Sequence, residues 1–394
     1  MDHVSIGGEG SPASPSSSER SEVAALAART AALPHDATAL HPSVPGQQTR
    51  VREVRDLRSW FWRICYFTVW GIAILLAAVA ALRVFYHDGN YSLTWLNAFT
   101  RYVYLPAYAC LLWAAWQRRW LVTLLCLAIV GCHIAWMTPN FIRDRRFDVL
   151  PAIDGPPAAS SPTVRILFAN VRTRNHEFGD VLNLIETENP DIVVVAEFTF
   201  YWLRAFRESP VMAPYVYGSD LRGRFESMVN IFSRIPLKAE HRLWLAGRSL
   251  ETVDVQLGSD TLRIIGLHAP RPIYTPDVDY FEFWNQVVPE LTTEQGPLVI
   301  VGDFNATEHS LVYKQLRAAG LRSAHDDRGR GYASTWPNGY YLLPPIRIDQ
   351  AFLSADVECE RITEGQSVGS DHKPIVLDIR LRRPIDRKPV TSSD

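Results

Sequence analysis

The sequence predicts an α/β layered domain of roughly 220 residues, preceded by a short membrane-spanning helical region. Three observations lead to this. From Thr163 to about Arg383, short apolar runs alternate with polar stretches of helical periodicity. Ahead of them, three uncharged apolar runs follow one another between residues 60 and 140. Polar residues also gather at the ends of the later apolar runs, where a rigid sheet holds ligand-binding groups.

Residues 1–48 are rich in Ser, Pro, Ala, Gly and Thr and contain no aromatic residue. Such a segment cannot bury enough surface to offset its ordering entropy, so it reads as a disordered tail. Ile64–Leu82 is then an uncharged run of 19 residues and Trp120–Met137 one of 18, each about long enough to cross a bilayer as a helix. Tyr102–Trp116 is apolar but shorter and contains Pro106. Trp60, Trp62, Trp116, Trp120 and Trp136 stand near the run ends, as an interfacial belt places them. The first run is internal and long, unlike a cleaved signal.

Basic residues before the first run (Arg50, Arg52, Arg55, Arg58, Arg63) and Arg118-Arg119 between the second and third favour the cytoplasm. Three crossings then leave the following domain on the exoplasmic side. Arg143, Arg145 and Arg146 argue for the opposite side, as does any failure of Tyr102–Trp116 to cross. A linker at 141–162, ending PAIDGPPAASSP, separates the membrane region from the domain, and a tail follows at 384–394. Four of the five cysteines lie in the apolar runs and Cys359 stands alone, so neither a disulfide framework nor a CxxC metal site is available.

Within 163–383, strands are expected at Val164–Ala169, Ile192–Ala196, Met228–Phe232, Thr252–Leu257, Leu262–Leu267, Pro297–Val301, Ile348–Leu353 and Ile375–Ile379. Helical patterns fall at about 178–188, 198–208, 277–294 and 309–319. Asn170, Glu197 and His268 close three of the strands, and Asp303 and Asn305 follow a fourth. Asp349 opens another, and Asp371-His372 precede the last. Oxygen donors without cysteine suit a hard divalent ion, Mg²⁺ or Mn²⁺. Glu197 with Asn170 in support fits the one or two carboxylates that Mg²⁺ usually takes, and a carboxylate-oriented histidine suits phosphoester hydrolysis.

Asn170 after VRILFA, Glu197 in VVVAEF, His268 in GLHAPRP, GDFN at 302–305, Asp349 in IRIDQAFL and SDH at 370–372 occur in an order that resembles the endonuclease/exonuclease/phosphatase superfamily. Ser233-Arg234-Ile235-Pro236 and Thr335-Trp336-Pro337 belong to the same likeness, which covers about 163–382. It implies a four-layer α/β sandwich like that of deoxyribonuclease I. It also implies a metal-dependent phosphoric ester hydrolase. Glu197 would bind the metal, Asn170 would hold a metal-bound water or phosphate oxygen, and Asp371 would be linked to the metal. Asp303 would orient or deprotonate the attacking water, Asn305 would hold the phosphate, and Asp349 would orient His372. His268 resembles the second histidine of the deoxyribonuclease I branch, and the division of acid and base among these groups stays open. Two features depart from the pattern: Ala196 stands where Gln commonly precedes the acidic residue, and the tyrosine of apurinic endonucleases has no match. Both lead away from DNA repair.

Each motif alone has a plainer reading: GDFN as a turn capping a helix, SDH as a polar turn, His133 as a packed side chain, and His309, His325 and Asp326-Asp327 as surface. Arg271 either reaches a substrate phosphate or is a solvated loop residue. The whole chain is nearly neutral, with 40 basic and 42 acidic residues, while 163–383 carries 24 basic and 29 acidic residues, a formal charge of −5. That acidity weighs against tracking along nucleic acid. The leading expectation is a membrane-anchored Mg²⁺-dependent phosphoester hydrolase whose substrate is a lipid headgroup, nucleic acid or small molecule. An extracytoplasmic nuclease and a non-catalytic phospholigand-binding module are the alternatives. The sequence shows no sign of a protein partner.

Overall fold

The computed structural model describes residues 45–142, 162–218, 228–274, 279–339 and 342–382. Residues 1–44 of the tail expected over 1–48, residues 143–161 of the linker expected over 141–162, with its three arginines, and the C-terminal tail lie outside the described residues. Pro45–Gln48 of the expected tail already belong to a helix. The chain divides into two units, Met1–Cys65 and Tyr66–Asp394, of which the second holds both sheets and the site.

A 42-residue helix, Pro45–Tyr86, carries the first apolar run, and Trp120–Met137 carries the third. The stretches Arg58–Tyr86 and Trp120–Asn140 are each long and apolar enough to cross a membrane. Tyr102–Trp116 is not one helix. Thr100–Val103 ends at Tyr104, and Leu105–Trp116 begins anew with Pro106 in its first turn, where a missing N–H costs nothing. Its 12 residues reach only about 18 Å. Even so, the segment runs back along the first helix. Arg83 donates to Thr100, Leu76 clusters with Tyr104 and Ala107, Ala73 clusters with Cys110 and Ala114, and Arg119 lies over the Tyr66 ring. Apolar side chains point outward from all three helices, including Phe67, Leu75, Leu112 and Leu124. His133 is packed as expected, its Nδ1 3.0 Å from the Tyr108 hydroxyl.

The remainder is a four-layer α/β sandwich. One sheet orders its strands β11-β12-β1-β2-β4-β3 and the other β5-β6-β7-β8-β10-β9. Here β1 is Val164–Asn170, β2 Ile192–Ala196, β3 Tyr217–Gly218, β4 Val229–Ser233, β5 Leu237–Leu245 and β6 Arg248–Leu257. The others are β7 Asp260–His268, β8 Leu298–Asp303, β9 Arg322–Ser323, β10 Asp349–Leu353, β11 Val357–Glu364 and β12 Ile375–Leu381. Ile166, Phe168 and Val194 meet Val253, Ile264 and Val301 between the sheets. The alternate residues Leu167, Val193 and Val195 pack beneath helices Phe178–Glu188 and Phe200–Glu208. Helices Tyr280–Thr293 and Leu311–Ala318 cover the second sheet through Leu267, Ile300 and Phe352. Central strands buried on both faces read as unbroken apolar runs.

Four residues expected at the surface are buried: His309, His325, Asp326 and Asp327. Their partners explain why. Arg322 bonds Asp327, Arg347 lies 3.7 Å from Asp326, His309 lies 3.7 Å from Glu308, and His325 Nε2 lies 3.1 Å from Glu364. Burial pushes the His325 imidazole down to about 4. The unfolded chain therefore protonates this group below about 6.5 while the folded chain resists until about 4, so its contribution is lost as pH falls through that window. The unfolding free energy of the wild type relative to His325→Gln should shrink by about 2 kcal/mol between pH 6.5 and 4.5. A pH-independent difference in paired denaturation curves would contradict this.

Candidate active site

Strand register assembles the site. β1 and β2 run parallel, pairing Asn170 with Ala196, so Asn170 and Glu197 leave the first sheet together. β7 and β8 are also parallel and pair His268 with Asp303. β10 runs antiparallel to β8 and pairs Asp349 with Asp303. β12 runs antiparallel to β1, which puts the loop before it, with His372, at the same edge. The direction of each strand thus explains why some site residues follow a strand and others precede one. Gly302 permits the β7–β8 approach, since a Cβ there would lie 2.1 Å from Leu267 O.

Side chains then interlock. Asn170 Nδ2 donates to Glu197 Oε1 (3.2 Å) and to Asp303 Oδ2 (3.1 Å). Glu197 Oε2 accepts from the Thr173 N–H (2.8 Å) and hydroxyl (2.9 Å). Asp303 Oδ1 accepts from the Asn305 N–H (2.9 Å), and Asn305 Nδ2 donates to Ala269 O (2.9 Å). His372 Nδ1 lies 2.9 Å from Asp349 Oδ2, and its Nε2 faces Asp303 Oδ2 at 3.8 Å. Ser370 ties the last corner to the first: its hydroxyl donates to Asn170 O (2.7 Å) and accepts from the His372 N–H (3.1 Å). Arg172, Glu197 and Asn305 all have φ near +50 to +60°, at 60°, 56° and 46°. Such left-handed residues cost about 1–3 kcal/mol each and cluster where surrounding structure fixes a functional geometry.

The groups differ in charge. Burial works to raise the Glu197 carboxyl, yet the Thr173 donors bring it down to about 2, so it stays ionised. Burial pushes Asp303 up to about 7 against the pull of His372. Burial alone would lower His372, but the Asp349 and Asp303 carboxylates raise it to about 10, which keeps it an imidazolium at neutral pH. His268 has the opposite fate: burial pushes it down to about 4, so it is neutral. Its Nε2 lies 3.7 Å from Asp303 and 3.9 Å from Glu197, while its buried Nδ1 has no hydrogen-bond partner among the described residues.

A cavity of about 350 Å³ opens over these groups, lined by Glu197, His268, Asp303, Asn305, Asp371 and His372. Asn170 and Asp349 stand behind the lining residues. Arg271 reaches the wall, as do Arg172 and Arg174, and Asp371 Oδ1 lies 3.6 Å from Arg172 Nε. Sequence reasoning missed Thr173, Arg172 and Arg174, although each is within a few residues of a motif it used, and it named Trp336 only as part of the family likeness, without a place in the site. It also missed Arg248, whose buried Nε has no hydrogen-bond partner among the described residues and whose guanidinium is held below its ordinary value by burial. Trp95 and Ala98, which also line the cavity, gave no signal at all.

A family model described as the endonuclease/exonuclease/phosphatase family matches residues 167–372, just over half of the chain and every residue of the site except Trp95 and Ala98. The chain belongs to the endonuclease/exonuclease/phosphatase family. Members of this family typically hydrolyse phosphoesters. Similar solved structures include a family protein from Leptotrichia buccalis C-1013-b, at 14% identity over 55% of this chain and 100% of that one, with a TM-score of 0.43. Another is D. rerio TDP2 complexed with a single-strand DNA product, at 16% identity over 55% of this chain and 99% of that one, with a TM-score of 0.45. A family protein from Bacteroides vulgatus has 16% identity over 56% of this chain and 100% of that one, with a TM-score of 0.44. A search of curated proteins returned no match.

The family generally uses a divalent metal, and the donor set here fits one. Glu197 is an ionised oxygen donor bridged to Asp303 by Asn170, and the described residues that line the cavity include no cysteine. Asp303, Asp349 and His372 also bring ligand atoms within 4.8 Å of one another. His372 Nδ1 is engaged by Asp349, however, so this second group suits proton and charge work better than coordination.

Proposed function

We propose that the chain is a membrane-anchored, Mg²⁺-dependent phosphoester hydrolase that acts best on phosphodiesters. The observation that carries this reading is the His372 imidazolium, set between Asp349 and the proton-accepting Asp303, beside the ionised Glu197. Glu197, with Asn170 and Asp371 in support, would hold Mg²⁺ or Mn²⁺. That ion supplies Lewis-acid stabilisation of phosphoryl charge. Asp303 takes the proton as a water oxygen forms its bond to phosphorus and the ester P–O bond breaks. The Nε2–H of His372 stabilises the charge gathering on the phosphoryl oxygens. Asn305, with one amide proton engaged by Ala269, turns the other toward the phosphate. His268, kept neutral, faces Asp303 from the other side as a hydrogen-bonding partner for the leaving oxygen. Arg172, Arg174 and Arg271 supply the cationic wall.

The antiparallel return of Thr100–Trp116 along the first helix supports three crossings. Arg118-Arg119, beside Tyr66 at the end remote from the catalytic domain, then favour placing that domain on the exoplasmic side. A reporter fused after Asp154 tests the orientation; a cytoplasmic signal there contradicts it.

Glu197→Gln tests the metal role. The Mg²⁺ concentration for half-maximal turnover of bis(p-nitrophenyl) phosphate should rise by about 100-fold, since losing a ligand costs at least as much as losing an outer partner. An unchanged Mg²⁺ titration would remove Glu197 from the metal site.

A further inference from the structure

The helix that joins the first two apolar runs forms part of the cavity wall. Tyr91–Ala98 is capped by Asn90, whose side chain accepts from the Leu93 N–H (3.0 Å), and it sends Trp95 and Ala98 to the cavity. Its C-terminal end is pinned to the helical bundle. Arg83 donates to Asn97 Oδ1 (2.9 Å) and to the Thr100 hydroxyl (2.7 Å), and Asn97 donates to Asp88 (2.6 Å). Its other face is pinned to the catalytic domain. Trp95 Nε1 donates to Pro272 O (2.9 Å), the Tyr91 hydroxyl donates to Asp279, and Asp88 accepts from the Leu311 N–H (2.5 Å). These bonds fix the cavity against the end of the helices.

The depth of the cavity follows from chain geometry. Ala98 is two residues from Thr100, so the cavity lip lies within about 8 Å of the bundle end at 3.8 Å per residue. The polar headgroup layer outside the hydrocarbon core is about as thick, roughly 5–8 Å. Exposed apolar side chains lie close along the chain to residues of the wall. Ile273 and Tyr274 follow Arg271 and Pro272 of the wall, and Tyr274 is 75% exposed. Leu342 and Leu343 lie between the lining residues Trp336 and Ile346, and Leu342 is 97% exposed. Exposed apolar and aromatic side chains within a few residues of a polar, arginine-lined wall suit insertion at a membrane surface.

Resting on the hydrolase reading above, we propose that the substrate is a phosphoester in the headgroup of a membrane lipid, taken from the leaflet where the helices end. Trp95 is the specificity-determining residue. It closes the side of the cavity nearest the bundle, so a phosphoester reaches Asp303 and His372 while its acyl portion stays in the bilayer. The exposed side chains around Tyr274 and Leu342 rest in the same layer. A soluble phosphoester makes no use of those side chains, and a nucleic acid meets a domain of net charge −5.

The test uses the full chain reconstituted in vesicles of phosphatidylethanolamine and phosphatidylglycerol, with headgroup release followed by phosphorus NMR. Bis(p-nitrophenyl) phosphate and a single-stranded oligonucleotide are compared under the same conditions. The expected result is phospholipid turnover that exceeds oligonucleotide turnover. The ratio of phospholipid to chromogen turnover should fall by about tenfold or more in Trp95→Ala and in the surface variant Tyr274→Ser/Leu342→Ser. Chromogen hydrolysis without phospholipid hydrolysis overturns this proposal and leaves the hydrolase reading standing. So does oligonucleotide turnover above phospholipid turnover, or an unchanged ratio in the surface variant. Failure to hydrolyse all three overturns the hydrolase reading and this proposal together.

Discussion

His372→Ala should lower kcat on a phosphodiester by about a thousandfold while changing KM far less. The imidazole is buried between two carboxylates, and that placement raises it to about 10, so the folded protein carries a cation there, where the proposed mechanism develops phosphoryl charge. Removing it withdraws a charged hydrogen-bond donor that is stronger in the transition state than in the ground state. It also leaves Asp303 and Asp349 facing each other without a counter-charge, which makes Asp303 a poorer home for a negative charge and delays its ionisation. Asp349→Asn should cost less, because the imidazole remains but loses its orienting carboxylate. The double variant should be no worse than His372→Ala alone, since the two residues act as one unit. Additive losses in steady-state kinetics would show that Asp349 acts independently.

Arg347→Met should destabilise the catalytic domain by about 3–5 kcal/mol. Arg347 is only 1% exposed, with Nε 3.8 Å from Glu308 Oε2, Nη2 3.7 Å from Asp326 Oδ1 and Nη2 donating to the Tyr313 hydroxyl at 3.4 Å. Burial raises Asp326 and works to raise Glu308; cations, with Arg347 first among them, oppose this at both and leave Glu308 below the usual carboxylate range. Methionine fills much of the same space but strands two buried carboxyl groups, and that loss exceeds any gain from removing the buried guanidinium. Thermal unfolding of the detergent-solubilised full chain should shift down by about 10 °C. A melting point like that of the wild type would mean that the network stabilises little.

The sequence was informative where burial is two-sided. β1, β2, β8 and β12 show as apolar runs because each packs against the opposite sheet on one face and helices on the other. β5 and β11 were missed because they sit at sheet edges and carry charged side chains such as Lys238, Glu240, Glu358 and Arg361. Asn170, Glu197, His268, Asp303, Asp349 and His372 were legible as candidates because parallel and antiparallel pairing places strand ends at one edge. The buried positions of His325, Asp326 and Asp327 were not legible, since a charged residue reads as surface until Arg322, Arg347 and Glu364 are brought to it by the fold. Trp95 was hidden for a similar reason. It lies in the connection between two apolar runs, and only tertiary packing brings it to Pro272.

The central claim is that these strand ends form one metal-assisted phosphoester site. The most direct measurement is turnover of bis(p-nitrophenyl) phosphate by the purified full chain with Mg²⁺, with EDTA, and in the Glu197→Ala and His372→Ala variants. Turnover that requires Mg²⁺, stops with EDTA and is lost in both variants is the predicted result. Turnover unaffected by EDTA or by either substitution would contradict it.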